Sequence, residues 1–304
     1  MEFLYFLENL RHPVLDQIMQ LLTHLGEETV FMAVAMFFLW CVDKLKGYYL
    51  LTIGFLGTQI NQLLKVTFRI PRPWVKDPDF TVVESAVPEA TGYSFPSGHT
   101  QSAVGTFGGI ARWTRRRWLR YICIAICVIV PLTRMYLGVH TPMDVGVSIL
   151  IAAALIFGLY PLVHKATEHP KGMQILMLTL LLWSVGQVLF MEFFPFPADA
   201  EGAELFSGLK NAYKMLGAVA GFTVVYWLDQ RYIRYETNGC WWVQLLKWIP
   251  GLGLSVGLKE LMYLALDFLP GELLHRAIAY FVLLLFAGAV WPLTFKYIRK
   301  LEKK

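Results

Sequence analysis

The chain has 304 residues, 56% of them hydrophobic and only 16% charged, with a mean hydropathy of +0.50. This is the composition of a membrane protein rather than a soluble one. The 27 Lys plus Arg against 22 Asp plus Glu give a net charge of +5, but the bases form no single face or tail beside a soluble fold, which disfavours nucleic acid as a partner.

Residues 2 to 22 mix Phe3, Leu4, Phe6, Leu7, Leu10, Val14, Leu15 and Ile18 with Glu2, Glu8, Arg11 and Asp16, a pattern that predicts an interfacial helix rather than a span. Residues 1 to 10 lack a basic n-region, so a cleavable signal is not expected. Apolar runs follow near 28–43, 47–66, 100–113, 119–138, 141–163, 173–194, 212–228, 243–268 and 275–295. They predict an all-α, polytopic membrane helical bundle of about nine transmembrane helices. The third run is short and holds Gly105, Gly108 and Gly109, which permit close helix packing. Gly251, Gly253 and Gly257 interrupt the eighth, which also holds Lys259 and Glu260, and a kinked or discontinuous helix is expected there. The organisation reads as an N-terminal interfacial helix over 1–24, a core over 25–165 and a membrane-helix extension over 166–304. Cys41, Cys123 and Cys127 lie in apolar sequence and Cys240 in a basic, aromatic stretch, without a CxxC pair, so neither a disulfide nor a cysteine-ligated zinc is expected.

Basic residues cluster in alternate connections: Lys44 and Lys46; Arg112, Arg115, Arg116, Arg117 and Arg120; Lys165 and Lys171; Arg231 and Arg234; and Lys296 to Lys304. The positive-inside rule makes that side cytoplasmic. The opposite face then receives the N-terminus, the loop at 67–99, the turn at 138–141 and the acids Asp199, Glu201 and Glu204.

Three outward segments hold the polar chemistry. The first is KVTFRIPRP, with Lys65 at a helix end and Arg69 and Arg72 beyond it; taken singly, such bases snorkel or meet lipid phosphates. The second is PSGHT, Pro96 to Thr100, where Ser97, Gly98 and His99 stand at a helix N-terminus suited to an anion; for Ser97 alone an ordinary N-cap suffices. The third is TRMYLGVHTPMD, Thr133 to Asp144. A charge at bilayer depth costs at least about 2.5 kcal/mol, so three ionisable groups in one membrane segment mark a site. His140 and Asp144 lie one helical turn apart, with Pro142 fitted to the first turn. A carboxylate there fixes the imidazole tautomer and leaves the other nitrogen as base, ligand or nucleophile. The plainer reading is a buried histidine satisfied by its neighbour. Together, the three segments offer cations, a backbone nest and two imidazoles to a tetrahedral dianion.

The order Lys65-(six residues)-Arg72-Pro73, Pro96-Ser97-Gly98-His99 and Arg134-(five residues)-His140-(three residues)-Asp144 resembles the three-part signature of the type 2 phosphatidic acid phosphatase superfamily. Thr133 stands where that family commonly has serine, and the hydroxyl is kept. The resemblance covers roughly residues 25 to 165. In span number it looks more like the longer branch of glucose-6-phosphatase and sphingosine-phosphate phosphatase than the six-helix bacterial enzymes.

The resemblance implies a lipid phosphatase in which His140 forms a phosphohistidine, Asp144 orients it and His99 serves as general acid, then base. Lys65, Arg72, Arg134 and the Ser97–Gly98 backbone would hold the phosphate oxygens, and no metal or other cofactor is expected. The implied partners are a lipid phosphate and membrane lipids; the oligomeric state stays open. Three other readings stand beside it. A vanadate haloperoxidase shares the constellation but is soluble, a bis-histidine haem protein needs histidines facing each other, and a catalytically silent transporter or scaffold would lack a key side chain. A bacterial plasma membrane is expected from the absence of any Asn-x-Ser/Thr sequon. The loop from Trp74 to Phe95, with Trp74, Phe80, Tyr93 and Phe95 at headgroup depth and the acids Asp77, Asp79, Glu84 and Glu89 at the mouth, is expected to gate lateral access of a lipid.

Overall fold

The computed structural model describes residues 1–169, 171–197, 202–268 and 271–303, and every regular element among them is helical. The helices are α1 (Glu2–Glu8), α2 (Pro13–Thr23), α3 (Glu28–Phe37), α4 (Lys44–Phe68), α5 (Pro73–Lys76), α6 (Gly98–Ala103), α7 (Gly109–Trp113), α8 (Arg117–Tyr136), α9 (Pro142–Glu168), α10 (Gly172–Phe193), α11 (Gly202–Leu228), α12 (Trp241–Leu266), α13 (Glu272–Leu285) and α14 (Phe295–Lys300). A π turn at Val104–Gly108 joins α6 to α7.

Each of the nine apolar runs is helical, but nine spans are not established. Among the described residues five helices are long and apolar enough to cross a membrane: Arg117–Tyr136, Pro142–Glu168, Gly172–Phe193, Trp241–Leu266 and Glu272–Lys300. Pro13–Gly26 and Glu28–Val42, bent by 49°, add a sixth if they count as one broken span. The shortfall has a physical source. Helix α4 carries Gln59, Asn61, Gln62 and Lys65, α11 carries Lys210, Asn211 and Lys214, and the stretch from Gly98 to Trp113 is short.

Two expectations are corrected. Residues 2 to 22 are two helices, not one: the His12 side chain accepts the Val14 N–H at 3.3 Å, and Pro13 opens α2. Arg11, in the break, turns inward to donate to Tyr136 O at 3.0 Å and Thr81 O at 2.8 Å. The eighth run is not discontinuous, for α12 continues through Pro250 and three glycines, and Lys259 pairs with Glu260 at 3.0 Å. Asp199 and Glu201 lie outside the described residues.

The chain forms two compact units. The first comprises Met1–Met32, Thr52–Tyr160 and Phe196–Gly208. In it α8 packs against α1, α2, α6 and α7. Glycine allows the close approaches: a Cβ on Gly26 would stand 2.8 Å from His99 O, and one on Gly105 would stand 2.9 Å from Ile53 Cγ2. The second unit comprises Ala33–Leu51, Pro161–Pro195 and Leu209–Lys304. There α12 packs on α13, Trp40 Nε1 donates to Ala287 O at 2.9 Å, and Lys44 pairs with buried Asp229 at 2.6 Å.

Candidate active site

The three polar segments meet in the first unit. Helix α4 stops just after Lys65 because Arg69 takes a left-handed conformation (φ 50°), its N–H returning to Lys65 O at 2.9 Å. The chain then turns, and Arg72 caps the start of α5. Three consecutive carbonyls of the long loop fix both cations. Arg72 Nη2 donates to Thr91 O at 2.8 Å and its Nε to Gly92 O at 3.1 Å, while Lys65 Nζ donates to Tyr93 O. Gly92 makes that turn with φ 72°.

Helix α6 begins at the second segment. Ser97 is its N-cap, the hydroxyl accepting the Thr100 N–H at 3.4 Å, as an ordinary cap would. Its own N–H donates to Asp144 O at 3.2 Å. Ser97 is therefore not a free donor, and the expected nest reduces to the first-turn amides of Gly98 and His99, which have no intrahelical acceptor. Above Gly98 the space is open, for a Cβ there would meet only Asn61 Oδ1, at 4.0 Å.

The third segment is held at both ends. Gly138, with φ 81°, follows the last turn of α8. The Val139 N–H returns to Arg134 O at 3.1 Å and that of Gly138 to Met135 O at 3.1 Å, the paired bonds of a Schellman C-cap. Two residues on, α9 opens with a reciprocal capping box. Thr141 N–H donates to Asp144 Oδ2 at 2.7 Å, and Asp144 N–H to Thr141 Oγ1 at 3.3 Å. His140 is thus clamped between two helix ends.

Its ring is 2% exposed and faces a charge on each side. Arg72 Nη1 lies 3.1 Å from Nε2, and Asp144 Oδ2 lies 3.5 Å from Nδ1. An N–H on Arg72 can only donate, so Nε2 is the acceptor and the proton is assigned to Nδ1. At 3.5 Å the Asp144 contact is longer than a hydrogen bond, and the carboxylate is shared: Ser94 Oγ donates to Oδ2 at 2.6 Å. Unliganded catalytic contacts commonly have this length and tighten around substrate. Burial, followed by the charges of Arg72, Lys65, Arg134 and His99, pushes the His140 imidazole well below its usual 6.5. It is neutral at pH 7, with the Nε2 lone pair turned to the Arg72 N–H. Burial brings the Arg72 guanidinium down to about 10, so it stays charged.

The remaining predicted residues are near but differently engaged. Arg134 is 1% exposed and donates through Nη1 to Thr23 Oγ1 at 2.9 Å, leaving a buried Nε without a hydrogen-bond partner. His99 Nε2 stands 3.7 Å from Glu89 Oε2, and that imidazole pulls the Glu89 carboxyl below its ordinary value.

The sequence reading assigned no part in this site to Thr23, Ser94 or Thr141, and it placed Glu89 at the mouth without its neighbour His99. Only Thr141 had a local signal, the T-x-x-D spacing of a capping box. Thr23 and Ser94 meet partners 111 and 50 residues away, and Glu89 one 10 residues away, pairings that the fold makes.

Two family models match. That of the PAP2 superfamily covers residues 45–168, and that of the PAP2 superfamily phosphatase transmembrane extension covers residues 213–304. The chain belongs to the PAP2 superfamily. Its curated relatives include sphingosine-1-phosphate phosphatase 1 of Rattus norvegicus, 29% identical over 46% of this chain and 33% of that protein. Sphingosine-1-phosphate phosphatase 2 of Homo sapiens is 28% identical over 45% of this chain and 35% of that protein. Undecaprenyl-diphosphatase BcrC of Bacillus subtilis is 28% identical over 48% and 74% respectively. The match therefore spans about a third of the sphingosine-1-phosphate phosphatases it resembles. No solved structure matches significantly.

Proposed function

We propose that this chain is an integral-membrane phosphatase that hydrolyses a lipid phosphate monoester or diphosphate through a phosphohistidine on His140. The observation that carries the reading is the buried, neutral His140 ring, with Nε2 3.1 Å from Arg72 and Nδ1 facing Asp144. Its membrane-protein composition and its phosphatase-named relatives support a lipid phosphate as the substrate class.

In the first half-reaction the Nε2 lone pair attacks phosphorus as the P–O bond to the lipid breaks, and His99 gives its proton to the leaving oxygen. In the second, His99 takes a proton from water, whose oxygen attacks phosphorus as the P–N bond breaks and inorganic phosphate leaves. Asp144 holds the Nδ1 proton and stabilises the ring as it becomes cationic. Arg72, Lys65, Arg134 and the Gly98 amide hold the non-bridging oxygens; three fixed cations supply the charge, so no step is routed through a metal. The basic connections of the sequence support a reaction on the outer face, periplasmic or extracellular, and the plasma membrane of a bacterium is the setting we favour.

The test is phosphate release by purified protein from undecaprenyl diphosphate, phosphatidic acid, phosphatidylglycerol phosphate and a sphingoid-base phosphate, with acid-labile phosphoenzyme trapped from a ³²P-labelled substrate. His140→Ala should abolish turnover and phosphoenzyme together; retention of more than about a thousandth of wild-type kcat would sink the assignment. Binding without release from any of the four would instead mark a silent scaffold.

A further inference from the structure

At the rim of this site the fold gathers a second cluster that the mechanism does not use. His24 sits in the corner between α2 and α3, Glu27 just beyond it, and Glu89 arrives from the long loop. One ligand atom from each lies within 4.8 Å of the others. His24 Nδ1 is in direct contact with Glu27 Oε1 and stands 3.8 Å from Glu89 Oε1. The other Glu27 oxygen is held by Thr29 Oγ1 at 2.8 Å, which aims Oε1 inward as an outer-shell partner does for a ligating carboxylate. These side chains are 42%, 31% and 33% exposed, so an ion has a way in.

We infer that His24, Glu27 and Glu89 bind a divalent cation of the zinc class, and that the occupied site withdraws Glu89 from His99 and slows turnover. A four-coordinate zinc with Zn–N and Zn–O bonds of about 2.1 Å needs neighbouring ligand atoms about 3.4 Å apart. The His24–Glu89 separation has only a few tenths of an ångström to close, and the His24–Glu27 contact has to open by a side-chain rotation. One imidazole and two carboxylates are ligands of the N and O types that zinc accepts, and three of them leave a fourth position for water. Magnesium, which prefers oxygen and keeps its waters, suits it poorly. The consequence for turnover follows from Glu89 having two neighbours. Its Oε2 is 3.7 Å from His99 Nε2, too far for a hydrogen bond but close enough to act on that imidazole through its charge, and a carboxylate drawn to a dication no longer does so. No cysteine takes part, and although His24 and Glu27 are three residues apart, Glu89 comes from the long loop, which hides the set from spacing motifs.

The effect on turnover rests on the phosphatase reading; the binding does not. Full-length protein in detergent, stripped with EDTA and freed of it, should take up one Zn²⁺ per chain in competition with a chromophoric chelator. His24→Ala should bind at least about tenfold more weakly, while its phosphate release in EDTA stays within twofold of wild type. Micromolar Zn²⁺ should slow the wild type reversibly and leave His24→Ala unaffected. Equal Zn²⁺ affinity in the two proteins, or no stoichiometric uptake, would overturn the site. Uptake with unchanged turnover on a hydrolysed lipid would overturn the coupling through Glu89. If no lipid is hydrolysed at all, the binding measurement still decides the site on its own.

Discussion

Arg72 Nη1 lies 3.1 Å from the Nε2 of His140, the atom we expect to attack phosphorus. Four of the five guanidinium N–H groups are directed at Gly92 O, Val139 O, Thr91 O and this nitrogen. The backbone bonds fix the fork, and on the proposed mechanism an arriving phosphate oxygen would displace the imidazole from one prong. Arg72→Lys keeps the charge and loses the fork, so kcat/KM should fall about a hundredfold, close to removal of an oxyanion donor. A loss under fivefold in steady-state phosphate release would mean that Arg72 acts only as a point charge.

Asp144 has two duties, since it caps α9 through the Thr141 N–H and faces His140 Nδ1. Asparagine still offers an oxygen to the cap but brings no charge to the imidazole. Asp144→Asn should therefore lower thermal stability by only about 1 kcal/mol or less, while kcat drops by about 10² to 10⁴. A kcat within tenfold of wild type would assign Asp144 to the cap alone.

How far the sequence foretold this arrangement differs from residue to residue. Helical runs and the three-part signature were legible because each is local: apolar length, Pro142 at a helix start, two groups one turn apart. Glu89, Ser94 and Thr23 were not, because their partners His99, Asp144 and Arg134 lie 10, 50 and 111 residues away and nothing local announces such pairings. The break at Asn9–His12 was masked by an apolar pattern that runs through it. In α12 the opposite occurred: Gly251, Gly253 and Gly257 suggested a kink or a discontinuity, yet the helix runs on through them. The count of nine spans is not established, because the amides and lysines that α4 and α11 carry lower their mean hydropathy below that of the five clear candidates.

The pH dependence follows from the His140 ring, held well below 6.5 by burial and by Arg72, Lys65, Arg134 and His99, with Asp144 at its other nitrogen. Its native state takes up a proton only below 6.5, so protonation of His140 should cause no loss of kcat/KM between pH 6.5 and 7.5, and the acid limb belongs at lower pH. Stability runs in the same direction. Below 6.5 the unfolded chain binds a proton that the native ring refuses, so stability falls as the pH drops. His140→Gln should flatten the fall in apparent Tm between pH 7.5 and 5.5; an unchanged slope would assign that loss to other groups.

Gly138 is where a glycine is required. Its φ of 81° is unfavourable to other residues, and a Cβ would stand 2.7 Å from Arg11 Nη2 and 3.1 Å from Thr81 O. Gly138→Ala should cost about 1 to 3 kcal/mol and, by disturbing the cap two residues before His140, lower kcat as well as Tm. If Tm drops while kcat holds, the cap supports the fold without setting the nucleophile.

The last prediction concerns the loop between Arg72 and Pro96, for which the sequence suggested a gate to lipid. The structure ties it down instead. Phe80, Tyr93 and Phe95 are buried within the protein, and Phe80 packs with Leu4, Met135 and Val145. Val83 N–H donates to Leu137 O at 3.1 Å and Ser94 N–H to Ile70 O at 2.8 Å. Most tellingly, the carbonyls of Thr91, Gly92 and Tyr93 hold Arg72 and Lys65. Such a loop is part of the cradle's wall, and opening it would release both cations. Replacing residues 77 to 90 by a short Gly-Ser linker should thus lower kcat/KM by comparable factors for a long-chain lipid phosphate and for a short soluble phosphate ester, because both need the same cradle. A loss confined to KM for the long-chain substrate would restore the gate, since only that substrate uses the lateral path.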